Sequence, residues 1–555
     1  MLTSAARAAG LALLSLAISQ EVAARNTQPV ACPDLATQFH GRDVVIASAT
    51  EVPEVLTGPT AAPAHCDVRG AISDNIKFAL FLPLQWNGRF QMVGNGGKAG
   101  SISIGDMRAA LRLGYASSST DTGHDASLPD EGGARFGNDA LFGKEREIDF
   151  GWRAIHLTAR TSKDIIAKHY ASKPRYSYWN GCSTGGRQGL MEAQRFPDDF
   201  DGYIVGAPVY NYTGQQMNAP AMLRPLYTRI PPRAGMPADG PVISAAKRNM
   251  IGAAVYSRCD SLDGLVDGQL RNPLKCDFDP ALHIPACGDT PGPNCLTSAE
   301  LAALQELYAG KEPFVPGVPV GSENINGGWS TWILPNSATG TPQLHSVIAD
   351  AFEWLMFTPD RPGYDYLANW DWNVEPFQMR LAERIYNATD PDLREVLQRK
   401  SKIIMYHGWG DPGANPVRSI RYREAVVDFM GRRHHGHHDD DDDDDDDGDR
   451  HRHGKKHKHH KHASKGERIT DSFLKLYLVP GMAHCGGGVG HATVDWLTPL
   501  VDWVERRIEP HAIVGSRTVA GATSTRPHCP YPEEAVYDGV GNPNDAASFS
   551  CQRLD

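Results

Sequence analysis

The chain has 555 residues, a formal net charge of −11 and 41% hydrophobic residues. This length favours two domains, and the composition is typical of a globular protein. The negative balance argues against a nucleic-acid-binding protein, because no basic face dominates. No run reaches the roughly 18 apolar residues that a transmembrane helix needs, so we expect no membrane span.

Residues 1–24 have the pattern of a secretory signal peptide. Arg7 supplies a basic residue, an apolar stretch follows at 8–19, and small residues stand at Val22 and Ala24. The pattern predicts cleavage near Ala24 and a secreted or periplasmic protein. A buried first helix is the alternative.

The chain has ten cysteines, and export would place them in an oxidising compartment. An oxidising destination favours five disulfides over free thiols. The sequence pairs close enough for local disulfides are Cys259 with Cys276, Cys287 with Cys295, and Cys529 with Cys551. The sequence alone does not determine the connectivity.

Strands and helices alternate over residues 25–209, which indicates an α/β fold with a parallel sheet covered by helices. Predicted strands lie at 76–82, 89–93, 175–179 and 202–205, and predicted helices at 155–170 and 188–196. The alternation stops at 210–389, where aromatic residues, proline, glycine and four cysteines occur without strand periodicity. Because this stretch far exceeds ordinary loop lengths, we predict an inserted domain.

The α/β rhythm resumes over 390–555, with strands predicted at 402–406 and 473–479. Between these strands, residues 431–466 contain nine consecutive aspartates and ten histidines. Such a segment cannot bury a core, so we predict a disordered insertion. Metal binding by the insertion is the alternative.

The strongest chemical motif is a G-x-S-x-G with Ser183 at its centre. A β-prone run precedes it and a helix-compatible run follows, which is the context of a nucleophile elbow. An ordinary glycine-serine turn is the alternative. The small neighbours Gly181 and Gly185 leave room for the sharp turn that presents a nucleophile.

A serine nucleophile needs a base and an acid, which follow in the order Asp then His in α/β hydrolases. Asp411 and His484 each follow the carboxyl end of a predicted strand, which is where active-site residues lie in parallel sheets. Their separation of 73 residues falls to 37 once the 36-residue insertion is subtracted. The alternatives are that His407 is the base and that Asp411 only caps the helix near Pro416.

A cysteine precedes the predicted nucleophile, and another follows the predicted base. If Ser183 and His484 lie within hydrogen-bond reach, Cys182 and Cys485 come close enough for a disulfide. Such a disulfide would join the nucleophile's loop to that of the base. Two unrelated buried thiols are the alternative.

The chain resembles the tannase/feruloyl esterase family in three motifs: GCSTGGRQGLMEAQRFPDDFDG, HGWGDPGANP and PGMAHC. The resemblance extends over residues 32–551 and implies an α/β-hydrolase fold with a large inserted lid. It also implies hydrolysis of esters of aromatic acids without an organic cofactor. The oxyanion hole that it implies consists of the backbone N–H groups of Thr184 and Gly97, with Gly96 as the alternative to Gly97. The other interpretation is that residues 94–100 form a plain turn, in which case neither Gly97 nor Gly96 contributes to an oxyanion hole.

The resemblance also implies a structural calcium site in the lid. Its ligands are the side chains of Asp260, Asp263 and Asp267 and the carbonyls of Leu265 and Gln269, oxygen donors that Ca²⁺ favours. An Asp/Gly turn is the alternative. The implied disulfides are Cys32–Cys66, Cys182–Cys485, Cys259–Cys276, Cys287–Cys295 and Cys529–Cys551.

We therefore predict a secreted serine esterase of the feruloyl esterase type that acts on small aromatic esters, free or attached to plant polysaccharide or polyphenol. Tannase and terephthalate monoester hydrolase are the alternatives, and a peptidase or a non-catalytic metal-binding protein is more remote. Aromatic residues at 329–372 are candidates for stacking on the substrate ring. Arg361 and Arg380 could pair with a substrate carboxylate, although a solvated position is the preferred interpretation.

Overall fold

A computed structural model describes residues 28–230, 241–337, 340–432 and 463–554. The predicted signal peptide and most of the His/Asp-rich insertion lie outside the described residues. The chain divides into two compact units, the first comprising Met1–Glu192, Asp198–Asp201 and Ser346–Asn387 and the second Ala193–Pro197, Gly202–His345 and Ala388–Asp555. No helix of the described residues is long and apolar enough to cross a membrane.

The first unit contains six strands of a mixed sheet, in the order β1-β2-β3-β5-β4-β6. These are β1 Val44–Val52, β2 His65–Ile72, β3 Ile76–Pro83, β4 Arg89–Val93, β5 Ala116–Thr120 and β6 Tyr176–Cys182. The β4 strand runs parallel to both β5 and β6. By contrast, β1, β2, β3 and β5 pair antiparallel in succession.

The antiparallel pairs correct the expectation of a wholly parallel sheet. A three-residue turn at 73–75, with positive φ at Ser73 and Asp74, reverses the chain between β2 and β3. The β5 strand was not predicted because its residues, ASSST, are all buried yet carry no apolar run. The apolar β3 strand was predicted although it pairs antiparallel, whereas β5 was missed although it runs parallel to β4. The strand signal in the sequence therefore follows apolar composition and not the direction of pairing.

The second unit contains a parallel set in the order β7-β10-β11. These strands are β7 Gly202–Gly206, β10 Lys402–Gly408 and β11 Leu474–Val479. Almost all of their residues are buried, as expected for strands covered on both faces. Shorter pairings involve β8 Gly310–Lys311, β9 Val315–Pro316, β12 Thr493–Val494, β13 Ile513–Val519, β14 Ala522–His528, β15 Glu533–Tyr537 and β16 Phe549–Arg553.

Helices supply most of the remaining ordered structure. The longer ones are Ile104–Arg112, Ala154–Tyr170, Thr184–Arg195, Ala245–Cys259, Ser298–Ala309, Gln343–Trp354 and Pro416–Gly431. The shorter ones are Leu35–Gln38, Asp139–Phe142, Glu145–Ile148, Tyr212–Gln216, Asn218–Leu223, Pro280–His283, Trp329–Trp332, Tyr366–Asn369, Glu375–Gln378, Arg380–Tyr386, Arg394–Arg399, Lys465–Asp471 and Leu497–Val501.

Four of the implied disulfides are formed: Cys32–Cys66, Cys259–Cys276, Cys287–Cys295 and Cys529–Cys551. Cys182 and Cys485 are each disulfide-bonded as well. The aromatic residues from 352 to 370 pack on one another, with Phe352 against Phe357 and Trp370. Since these three side chains are buried, they belong to the core of the first unit.

A partly buried polar cluster surrounds Glu192 of the helix Thr184–Arg195. His156 Nδ1 lies 2.6 Å from Asp199 Oδ2, and Lys163 Nζ lies 3.7 Å from Asp199 Oδ1. Glu192 is fully buried beside them. Burial and the negative charge of Asp199 hold the pKa of Glu192 well above its usual range. Glu192 is therefore protonated at pH values where an exposed glutamate is ionised.

We expect Glu192→Gln to make the stability less dependent on pH. Because the pKa of Glu192 is raised in the folded protein, wild-type stability falls as pH rises above about 4.3, where the unfolded chain releases this proton. Glutamine has nearly the same shape as a protonated glutamate and does not titrate. The melting temperature of the variant relative to wild type should rise between pH 5 and pH 8. The exposed Glu395→Gln is the control, and parallel curves for wild type and Glu192→Gln would contradict the prediction.

Candidate active site

Ser183 follows β6 and precedes the helix Thr184–Arg195, in the geometry of an elbow. Its φ is +62°, a left-handed conformation that is costly for any residue other than glycine. A Cβ at Gly181 would lie 2.6 Å from the carbonyl oxygen of Gly185. A Cβ at Gly185 would lie 3.1 Å from the carbonyl oxygen of Asn95. The glycines of the motif are thus required by close backbone contacts, which an ordinary turn would not impose.

The glycine loop at 94–100 is bonded directly to the elbow. Thr184 Oγ1 donates to the carbonyl of Gly97 over 2.5 Å, so the two residues predicted to form the oxyanion hole are neighbours. Gln188 Oε1 accepts from the backbone N–H of Asn95 over 3.1 Å. The Asn95 amide in turn donates to the carbonyls of Ser101 and Thr120, each over 2.8 Å. Sequence reasoning missed Asn95 and Gln188, because their pairing is a long-range contact.

Lys98 adds an ion pair at the same loop. Its Nζ lies 2.6 Å from Asp350 Oδ1 on the helix Gln343–Trp354, and the lysine side chain is only 11% exposed. The other oxygen of Asp350 accepts from the backbone N–H of Ala134 over 2.9 Å. The residue after Gly97 is thereby held to two other segments of the first unit.

In the second unit, Asp411 and His484 lie side by side. His484 Nδ1 is 2.6 Å from Asp411 Oδ2, and Asp411 Oδ1 accepts from the backbone N–H of Ala414 over 2.9 Å. Asp411 is completely buried, whereas His484 retains some exposure. With Nδ1 donating to the carboxylate, Nε2 is the basic nitrogen of His484.

The surroundings of His407 and Asp411 bear on the alternatives for these two residues. His407 is buried on β10, with Nε2 2.5 Å from the carbonyl of Ala414 and Nδ1 2.8 Å from Ser419 Oγ. Both of its nitrogens are therefore engaged within the core, which does not suit a base. The helix Pro416–Gly431 is capped by Asn415, whose side chain accepts from Val417 N–H, so Asp411 is not its cap.

The ionisation of the pair suits general-base chemistry. Burial opposes the charge of Asp411, but the charge of His484 and hydrogen bonds to His407 and His484 lower its pKa below the usual range. Burial likewise opposes the charge of His484, but the charge of Asp411 and the hydrogen bond to it raise its pKa above the ordinary value. Asp411 is thus an anion that makes His484 a stronger base.

One of the candidate aromatic residues lies against the histidine. The ring of Trp332 packs edge-on to that of His484, with centroids 5.1 Å apart. Arg361 is not solvated as expected, because it pairs with Glu375 over 3.4 Å and stacks on Phe357. Arg380 is exposed, in agreement with the preferred interpretation.

The predicted calcium loop lies in the second unit. Asp260 and Asp263 accept from backbone N–H groups within the loop, of Gly268 and Leu265 respectively. Burial raises the pKa of both carboxyls, and the nearby charge of Asp267 raises each further. Neighbouring carboxylates that raise one another's pKa are stabilised in their charged form by a hard cation such as Ca²⁺. In this described loop, Asp260, Asp263 and Asp267 do not place one carboxylate oxygen each within 4.8 Å of the other two. Binding of one Ca²⁺ by all three would therefore require the loop to contract.

Comparison with known proteins identifies the fold and the family of the chain. Solved feruloyl esterase B from Aspergillus oryzae superposes with a TM-score of 0.75 at 23% identity, covering 94% of this chain and 99% of that one. The chain thus has the α/β-hydrolase fold. The family model described as tannase and feruloyl esterase matches residues 61–552, and the chain belongs to that family of carboxylic ester hydrolases.

Two relatives match along nearly the whole chain. An uncharacterised esterase of Xanthomonas campestris pv. campestris is 31% identical over 94% of this chain and 91% of its own length. Mono(2-hydroxyethyl) terephthalate hydrolase of Piscinibacter sakaiensis is 30% identical over 92% of this chain and 90% of its own length. The family membership excludes the non-catalytic alternative.

Proposed function

We propose that the chain is a secreted serine esterase that hydrolyses esters of hydroxycinnamic acids, in the manner of a feruloyl esterase. The observation that carries the mechanism is the 2.6 Å contact between His484 and the buried Asp411 in a member of an ester-hydrolase family. The disulfides support an oxidising destination. The same proposal includes the predicted domains, with a lid at 210–389 inserted between the two parts of the hydrolase domain at 25–209 and 390–555.

In the proposed reaction, Ser183 Oγ attacks the ester carbonyl carbon while His484 Nε2 takes the hydroxyl proton. The negative tetrahedral oxygen accepts hydrogen bonds from the N–H groups of Thr184 and Gly97, each contributing about 3–4 kcal/mol. The carbon–oxygen bond to the alcohol then breaks, and the alcohol leaves with the proton from His484. Water, deprotonated by His484, hydrolyses the acyl-enzyme and releases the acid.

The substrate class is tested by comparing methyl ferulate, methyl gallate and mono(2-hydroxyethyl) terephthalate at equal concentrations. We expect the highest kcat/KM with methyl ferulate. Trp332 beside His484 supplies an aromatic edge near the base, which supports an aromatic acyl group without distinguishing among the three. A higher kcat/KM with the terephthalate monoester would favour the alternative suggested by the relative from Piscinibacter sakaiensis. A preference for the gallate would indicate a tannase.

The calcium site is the second part of the proposal. Its ligands would be the side chains of Asp260, Asp263 and Asp267 and the carbonyls of Leu265 and Gln269. Ca²⁺ would screen three mutually repelling carboxylates, so it should stabilise the folded loop without entering the reaction.

We therefore expect chelation to lower the melting temperature. At a Ca²⁺ concentration of 100 Kd the ion would contribute about 2.7 kcal/mol, worth several degrees for a unit of this size. Asp263→Asn should reduce the shift, whereas the exposed Asp289→Asn should preserve it. An unchanged melting temperature of the wild type after chelation would exclude the site.

A further inference from the structure

His484 lies in a closed loop, residues 480–491, which we call the base loop. The backbone N–H groups of Val489 and Gly490 both donate to the carbonyl of Gly481, over 2.9 and 3.1 Å, and close the loop on itself. The N–H of Gly410, next to Asp411, donates to the carbonyl of Met482 over 2.8 Å. The start of the base loop is therefore held against the segment that carries the acid.

The other end of the base loop is held by His491. This residue is 2% exposed. The sequence alone assigns no role to it. Its Nδ1 lies 3.3 Å from Gln269 Oε1, and its Nε2 lies 2.9 Å from Ser524 Oγ on β14. Its carbonyl accepts from His528 Nε2 over 2.9 Å. His491 thus joins the base loop both to the acidic loop at 260–269 and to the hairpin β13–β14.

We propose that His491 is a positioning residue, which holds the base loop so that His484 keeps its hydrogen bond to Asp411. The inference rests on the proposed serine-esterase function. The effect of His491 is mechanical, since the loop is fixed at Met482 on one side of His484 and at His491 on the other.

The acidic loop has its own connection to the same hairpin. Arg526 Nη2 on β14 donates to Asp267 Oδ2 over 3.0 Å, two residues before Gln269. The acidic loop, β14 and the end of the base loop therefore form one hydrogen-bonded cluster within the second unit. Loss of the His491 side chain would free one member of this cluster while leaving the Arg526–Asp267 bond intact.

The test is His491→Ala, assayed with methyl ferulate, or with whichever of the three esters the wild type hydrolyses fastest, in saturating Ca²⁺. We expect kcat to fall about 10- to 100-fold with KM within twofold, because small displacements of a catalytic group have effects of this size. The pH at half-maximal kcat should move down, because a looser contact with Asp411 no longer raises the pKa of His484 as strongly. His491→Gln, which keeps a donor and an acceptor, should recover most of the activity. His511→Ala, an exposed histidine of the same unit, is the matched control.

A folded His491→Ala enzyme with kcat within twofold of wild type and an unmoved pH midpoint would overturn the inference. If His491→Ala does not fold, Gln269→Leu removes the partner of Nδ1 and leaves His491 in place. It should lower kcat in the same direction, and an unchanged kcat would overturn the inference equally. A wild-type enzyme without activity on any of the three aromatic esters would instead refute the proposed function.

Discussion

Ser183→Ala is expected to abolish ester hydrolysis, with kcat reduced about 100,000-fold or more. The alanine side chain has no oxygen to attack the ester carbonyl, and no acyl-enzyme can form. Rates are measured with methyl ferulate, methyl gallate and mono(2-hydroxyethyl) terephthalate, and the variant should lose all three activities together. The exposed Ser172→Ala is the control for the substitution itself.

Retained turnover by a folded Ser183→Ala protein would refute the serine mechanism. A companion variant, Ser183→Gly, distinguishes the chemical role from the backbone geometry. Glycine tolerates the φ of +62° without the cost of a side chain, so this variant should be inactive yet more stable than Ser183→Ala. The expected gain is about 1 kcal/mol, measured as a melting temperature higher by a few degrees.

Asp411→Asn is expected to reduce kcat roughly 1,000- to 10,000-fold at pH 7. Asparagine occupies the same volume but carries no charge, and its N–H₂ group favours the tautomer of His484 with the proton on Nε2. That tautomer cannot accept the proton of Ser183. The exposed Asp428→Asn on the helix Pro416–Gly431 is the control and should retain wild-type activity.

The same variant tests the pH dependence. His484 must be neutral to act as a base, so wild-type kcat/KM should increase with pH through a midpoint above about 6.5, the ordinary pKa of histidine. Because the charge of Asp411 raises this pKa, the residual activity of Asp411→Asn should have its midpoint at lower pH. Identical midpoints in the two proteins would show that His484 is not the group whose titration controls the rate.

Much of the local geometry of the candidate site could be predicted from the sequence. Ser183 was recognisable because a nucleophile elbow needs small residues on both sides, and the structure places Gly181 and Gly185 where a Cβ would collide with backbone. Asp411 and His484 were recognisable because each follows an apolar strand. These are short-range signals, in which the residues that carry the pattern are also those that form the structure.

Other features depend on residues that are distant in sequence. The serine-rich β5 strand is buried through its neighbours β3 and β4, and its own composition gives no strand signal. His484 was the predicted base and His407 the alternative, and the hydrogen bonds of His407 to Ala414 and Ser419 are contacts that the sequence did not indicate. Arg361 was expected in solvent, yet Glu375 and Phe357 engage it.

The sequence by itself thus indicated the elbow, the order of the predicted catalytic residues and three local cysteine pairs, because each of these follows from neighbouring residues or from motifs of fixed spacing. Tertiary structure alone decided the antiparallel pairing of the first strands, the different hydrogen-bond partners of His407 and His484, and the attachment of His491 to Gln269. The physical reason is that hydrogen-bond partners and strand order depend on which distant segments become neighbours, and no local pattern encodes that choice.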